Sequence, residues 1–322
     1  MEIEEPPFPS AAATYCGRPV HGDGSPPGPL REFGGQPLYT PRRALKDRLD
    51  DDGYLLLRGL MDLEAVEGAR VAILAKLRDE GLLSPDHPWT EAVPHPGQTF
   101  SFRPDLVRKD PAVNRLLKSG PIIRFFRHLF GETVRPLDFV WLRTKTPGLR
   151  TATHPHCDTV YMNRGTVDHL YTAWTPLHDV PVGMGPLMVL EGSHRRADKL
   201  ADYWASDVDA TCVEADAPPP PGAVPAHGRK PVWNPAHRGA YDIEAAGIPG
   251  TLGGRWLTTD FRAGDVMVFT MRLLHASLDN RTDRIRLSTD SRYQPDSEPA
   301  DPRWVGVNPI GHGAKAHLDM IC

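Results

Sequence analysis

Thr153-His154-Pro155-His156-Cys157-Asp158 is the stretch on which the reading of this chain turns. Alternate side chains of an extended strand share a face, so His156 and Asp158 can aim at one ion. A neutral imidazole and a carboxylate suit a borderline divalent metal, and a third ligand must come from elsewhere in the chain. His275 is the candidate. It follows Gly264-Asp265-Val266-Met267-Val268-Phe269-Thr270, a turn and a buried strand that can deliver it to the same barrel mouth. Two histidines and one carboxylate on one face of an octahedron leave three positions open for cosubstrate and dioxygen. His154 lies on the same strand face, and in a cupin-like His-x-His start it would replace His156.

The residues after His275 sharpen the reading. Ser277 lies two positions on, and Arg284, Arg286 and Ser288 alternate with Ile285 and Leu287 along a strand-like segment. A guanidinium pointing inward beside a metal is expensive unless an anion meets it. Arg286 can fork onto a carboxylate, and Ser288 can add a hydrogen bond.

Working outward, short apolar runs separated by Gly and Pro mark further strands at Phe139–Arg143, Thr153–Val160, Leu170–Thr175, Leu187–Glu191, Val266–Thr270 and Arg284–Tyr293. Such punctuation points to a sandwich or barrel. Upstream, Asp52-Gly53 leads into a buried strand at Tyr54–Leu57. Asp62 can cap a helix in which Val66, Ala69, Ile73 and Leu77 recur at helical spacing. A second helix is expected over Ile122–Phe130, closed by Gly131. Residues 1–38 read as an irregular, partly disordered arm. The stretch 195–254, with its Pro218–Pro221 run, reads as a long insert, either a lid or an excursion.

The 322 residues are 40% apolar, enough for a substantial core. Glycine (29) and proline (34) make up about a fifth of the chain, which favours a turn-rich β architecture. A net charge of −4 gives no general attraction to nucleic acid or anionic lipid. The longest apolar runs are too short to span a bilayer, and the acidic start has no signal-peptide core. Cys16, Cys157, Cys212 and Cys322 form no zinc or disulfide spacing, so reduced thiols in a cytoplasmic protein are expected.

In order, Thr153–Asp158, Trp174-Thr-Pro-Leu177, Gly185–His194, Gly264-Asp265, His275–Asn280, Arg284–Ser288 and Arg292-Tyr293 resemble the motif series of the phytanoyl-CoA dioxygenase-like branch of the iron(II)/2-oxoglutarate oxygenases. The resemblance spans about Tyr54 to Tyr293. It implies a double-stranded β-helix, or jelly roll, with the metal at its open end. It also implies iron(II), 2-oxoglutarate and O2 as reactants, and hydroxylation or another oxidation of a small organic molecule. By the same resemblance Arg286 grips the far carboxylate of 2-oxoglutarate, Trp174 lines that site and Ser277 joins the carboxylate, with Arg284 as reserve. Related halogenases carry a small residue in place of the metal aspartate, so Asp158 argues for hydroxylation or a related oxidation. The expected layout is an arm (1–38) and one oxygenase domain (39–322). Within that domain, 39–135 give helical support, 136–294 the jelly-roll core with insert 195–254, and 295–322 a C-terminal extension. Tyr161, Arg143 and Arg164 are candidate substrate contacts. Two other readings stay open: a cupin-type metal enzyme needing no keto acid, and a non-catalytic ligand-binding member of the fold.

Overall fold

The computed structural model describes residues 13–209 and 239–312. The chain opens with three two-residue strands, β1 (Thr14–Tyr15), β2 (Arg18–Pro19) and β3 (Gly28–Pro29). A helical stretch follows: α1 (Arg42–Asp52), strand β4 (Tyr54–Leu57), α2 (Leu63–Asp79), α3 (Pro111–Lys118) and α4 (Gly120–Phe130). Then come β5 (Val134–Pro136), β6 (Trp141–Lys145), β7 (Tyr171–Pro176), β8 (Leu187–Leu190), α5 (Ala197–Trp204), α6 (Ile248–Leu252), β9 (Trp256–Thr258), β10 (Val266–Thr270), β11 (His275–Ser277) and β12 (Arg286–Pro295). No helix among the described residues is long and apolar enough to cross a membrane.

Two sheets face each other. The larger runs β4-β10-β7-β12-β5, with β6 also paired to β12; the smaller runs β11-β8-β9-β3. Every pairing is antiparallel except β3 with β9. This is the jelly-roll arrangement that the family resemblance implies, and one form of the sandwich or barrel that the strand pattern predicts.

Period-two alternation assigns each strand residue to one of two cores. Leu55, Leu57, Leu142, Ala173, Val266, Val268, Leu287 and Tyr293 pack outward against α1 to α4. Tyr54, Leu56, Trp174, Met267 and Phe269 point inward and meet Leu187, Val189 and Leu257 of the smaller sheet. The Phe126 ring of α4 stacks on Tyr293 at 4.2 Å, and the Tyr293 hydroxyl donates to the Leu117 carbonyl at 2.8 Å, locking the helices to β12. Behind the smaller sheet, α5, α6 and the N-terminal segment supply a further core that includes Tyr15, Leu200, Tyr203 and Trp256.

Helix starts follow local chemistry. Asp62 accepts from the Ala65 amide at 2.9 Å, as its position predicts. Asp110 accepts from the Ala112 and Val113 amides ahead of Pro111, a start the sequence reading did not use. The helix expected at Ile122–Phe130 begins earlier, because Pro121 fits a first helical turn, and it ends at Gly131 as expected.

Several expectations need correction. Thr153–Val160 is not a strand. Only His156 pairs, in a single bridge with His275, and Asp158–Val160 form a 3-10 turn. Pro155 has no amide to give a ladder, and the Cys157 amide turns to the Tyr203 hydroxyl. Arg284 lies before β12 rather than in it. Residues 13–38 are irregular but anchored, with Ala13, Tyr15, Val20 and Leu30 buried. The insert contributes α5 and α6; Pro218–Pro221, Cys212 and Cys322 lie outside the described residues.

Gly185 shows how tightly the smaller sheet is built. Its φ is +78°, and a Cβ there would stand 2.5 Å from the Leu278 carbonyl oxygen, just past β11. Gly185→Ala is therefore expected to lower stability by about 2 kcal/mol or more, from left-handed strain plus backbone overlap. Urea denaturation checks this; an unchanged midpoint would contradict it.

Candidate metal and anion site

His156 and His275 face each other across their bridge, each amide donating to the other's carbonyl at 2.9 Å. Asp158, one turn on, closes the set. Their ligand atoms lie within 4.8 Å of one another, and all three residues are buried. Asp158 Oδ1 is 3.6 Å from His156 Nε2 and 3.7 Å from His275 Nε2. A single ion about 2.1 Å from each atom can bridge those gaps.

Both rings are preset for this. His156 Nδ1 donates to the His154 carbonyl at 2.7 Å, and His275 Nδ1 donates to the Leu273 carbonyl at 3.0 Å, leaving each Nε2 as the free lone pair. Burial, reinforced by His156, pushes His275 down to about 4, so its ring stays neutral near pH 7. Burial opposes ionisation of Asp158, but the Arg292 guanidinium outweighs it and holds the carboxyl well below the usual range.

The outer oxygen of Asp158 is already taken. Arg292 Nη2 donates to Oδ2 at 2.8 Å, and the Thr172 hydroxyl donates to the same atom. Only Oδ1 is left facing the imidazoles. Arg292 itself lies over the Trp141 ring at 3.9 Å. His154 does not compete as a ligand, because its ring is held by the Tyr15 hydroxyl at 2.6 Å. Cys157 is fully buried in the core behind the smaller sheet, and its thiol contacts the Arg272 carbonyl.

Further along β12, Arg286 and Ser288 point between the sheets. Arg286 is 2% exposed and makes no hydrogen bond or ion pair with the described residues; its Nε and the Ser288 hydroxyl are buried without partners. Burial pulls Arg286 down to about 10, and nearby Asp290 only partly offsets this. Its guanidinium carbon lies 5.7 Å from the centre of the Trp174 ring. Opposite Arg286 in register stands Lys145, also fully buried, donating to Ser277 Oγ at 2.6 Å and to the Leu278 carbonyl. Burial and then Arg286 hold the Lys145 amine well below its usual value. A buried guanidinium without a carboxylate partner, with the Lys145 amine opposite it, is an arrangement that an anion would relieve.

The other candidates separate clearly. Ser277 Oγ accepts from Lys145 and from the Thr153 amide at 2.8 Å, so it braces the wall and retains only its hydrogen for a ligand. Arg284 is half-exposed and pairs with Glu91 at 3.4 Å, away from this face. Tyr161 stands edge-on to His156, ring centres 5.5 Å apart. Arg164 pairs with Asp207 at 2.9 Å, tying the start of the insert. Arg143 lies on the inner face of β6 and pairs with Asp290 at 2.9 Å.

Thr172 and Lys145 were not singled out from the sequence, and Arg292 entered only as part of the motif series, without a role. The signal for Arg292 was available: continuing the alternation 286, 288, 290 reaches it.

A profile of the phytanoyl-CoA dioxygenase family matches residues 49–288. A 1-deoxypentalenic acid 11-beta-hydroxylase from Streptomyces exfoliatus is 25% identical over 275 residues, covering 81% of this chain and 84% of that protein. Among solved structures, the non-haem alpha-ketoglutarate-dependent carbocyclase SnoK from nogalamycin biosynthesis superposes with a TM-score of 0.55 at 20% identity, over 91% of this chain and 93% of its own. EctD from S. alaskensis gives 0.52 at 20% identity, over 88% and 87%. These two likenesses speak for the fold.

Proposed function

The chain belongs to the phytanoyl-CoA dioxygenase family, and from that footing we propose that it hydroxylates a small organic molecule using iron(II), 2-oxoglutarate and dioxygen. His156, Asp158 and His275 hold the metal. Arg286 and Ser288, with Lys145 beside them, receive the far carboxylate of 2-oxoglutarate, and Trp174 walls that end. The observation that carries the reading is the three converging ligand atoms with a buried, unpartnered guanidinium on β12, the strand whose Arg292 also pairs with Asp158.

When bound, iron(II) would activate dioxygen, which is the oxidant, and 2-oxoglutarate would supply two of the electrons as it loses carbon dioxide and becomes succinate. The protein's share is geometry and charge. The Nδ1 hydrogen bonds aim both imidazoles. Arg292 and Thr172 hold Asp158 to one inward oxygen, which favours monodentate ligation and keeps positions open. Phe269, its ring 4.7 Å from His275, joins Met267 and Leu273 in a dry wall. A cupin-type enzyme without a keto acid has no use for an unpaired Arg286, so that reading is disfavoured. Cys16 and Cys157 are free thiols, which fits a cytoplasmic setting.

The direct test is succinate release from 2-oxoglutarate by the purified protein, with and without iron(II). Release that needs no iron, or none at all with iron present, would defeat the proposal. A second expectation concerns Arg292. Arg292→Gln removes the charge on the outer oxygen of Asp158, and metal affinity should fall by about 10- to 100-fold, as for other partners that orient a ligand. Arg292→Lys should recover part of that loss. Calorimetric titration with a divalent metal reads both variants; wild-type affinity in Arg292→Gln would reject the role.

A further inference from the structure

Two acids, Asp158 and Asp290, stand among four cationic side chains, Lys145, Arg143, Arg286 and Arg292, on the inner face of β6 and β12 and at the metal loop. Arg292 is matched to Asp158 and Arg143 to Asp290. If iron(II) and 2-oxoglutarate bind as proposed above, their charges cancel, and three guanidiniums against two carboxylates leave the group with positive charge even without Lys145, whose amine burial holds well below its usual value. Within a cavity of low dielectric such an excess selects for an anion.

Arg143 is the member of the group placed to meet it. Its neighbours two residues away, Trp141 and Lys145, both face the cavity: Trp141 lies under Arg292, and Lys145 reaches Ser277 on the opposite sheet. Arg143 uses only Nε, on Asp290; its two terminal nitrogens have no partner among the described residues. The guanidinium carbon lies 5.1 Å from the centre of the Phe102 ring, which restrains it. The side chain is 25% exposed, unlike Arg286 and Arg292, so a molecule entering from solvent can reach it after the deeper anion site has filled. A planar guanidinium with its outer edge free and its inner nitrogen anchored is a fork for a carboxylate.

We propose that the substrate carries a carboxylate, and that Arg143 receives it through its two terminal nitrogens and so sets which part of the molecule lies next to the metal. This rests on the iron and 2-oxoglutarate reading, and the experiment keeps the two apart. Protein loaded with iron(II) and saturating 2-oxoglutarate without oxygen is titrated calorimetrically with benzoate, cyclohexanecarboxylate and decanoate, each against its own primary amide. At least one acid should bind about tenfold more tightly than its amide, the scale of one charge-assisted pair. In Arg143→Gln that ratio should collapse towards one, and in Arg143→Lys it should partly persist. Because the ratio is internal to each variant, general weakening of the site does not mimic the result.

Acids that bind no better than amides, no binding by any of the six compounds, or a full preference surviving in Arg143→Gln would each overturn the proposal. Failure of 2-oxoglutarate itself to bind the iron-loaded protein would instead strike at the function proposed above.

Discussion

Asp158→Ala should lose iron binding and reduce succinate formation by more than about a hundredfold, beyond the effect of an outer partner. The expectation follows from how few atoms make the site. Two imidazole nitrogens and Oδ1 are the metal-ligating atoms that converge among the described residues, and two imidazoles alone hold a divalent ion weakly. The variant should also be less stable without metal, since Arg292 is then left as a buried cation without its carboxylate. Breaking such a pair costs about 3–5 kcal/mol. Asp158→Asn separates the two effects: it keeps the shape and an oxygen for Arg292, yet carries no charge for the metal. Turnover within tenfold of wild type in either variant would show that the metal is held elsewhere.

Arg286→Met should change two properties in opposite directions. The affinity for 2-oxoglutarate is expected to fall by about a hundredfold or more, because a bidentate charged contact is lost. The ligand-free protein is expected to become more stable by about 1–2 kcal/mol, because a fully buried guanidinium with no partner is replaced by an apolar chain of similar length. In wild type the binding of 2-oxoglutarate offsets that cost, so its addition should raise Tm steeply. In Arg286→Met the rise should vanish. A structural arginine would behave otherwise: its loss would lower stability and leave the response to 2-oxoglutarate intact. Thermal melts with and without 2-oxoglutarate distinguish the two.

How much was legible in advance varies with the kind of evidence. Tyr54–Leu57 and Val266–Thr270 stand where the pattern put them, since four or five consecutive apolar residues bounded by turn formers have few alternatives to a buried strand. The helix α3 was overlooked although Asp110-Pro111 is a good start signal, because its eight residues are short and follow a run of mixed polarity. The strand expected over Thr153–Val160 was an error of mechanism. His156 and Asp158 do converge, through one bridge and a tight turn rather than the alternation of a strand. Arg164 was a reasonable candidate by type, yet its ion pair with Asp207 depends on where residue 207 folds back, which no local pattern reports.

The chain by itself determined the sheets, the helical cover and the types of residue offered to a metal, because apolar periodicity and turn chemistry act over a few residues at a time. Tertiary structure alone decided which of those residues share a cavity and what charge stays unbalanced there. Lys145 opposite Arg286 and Arg292 on the outer oxygen of Asp158 are contacts across 141 to 134 residues of chain. Such contacts arise from sheet register and the facing of two layers, and their electrostatic consequences appear only once water has been excluded from between them.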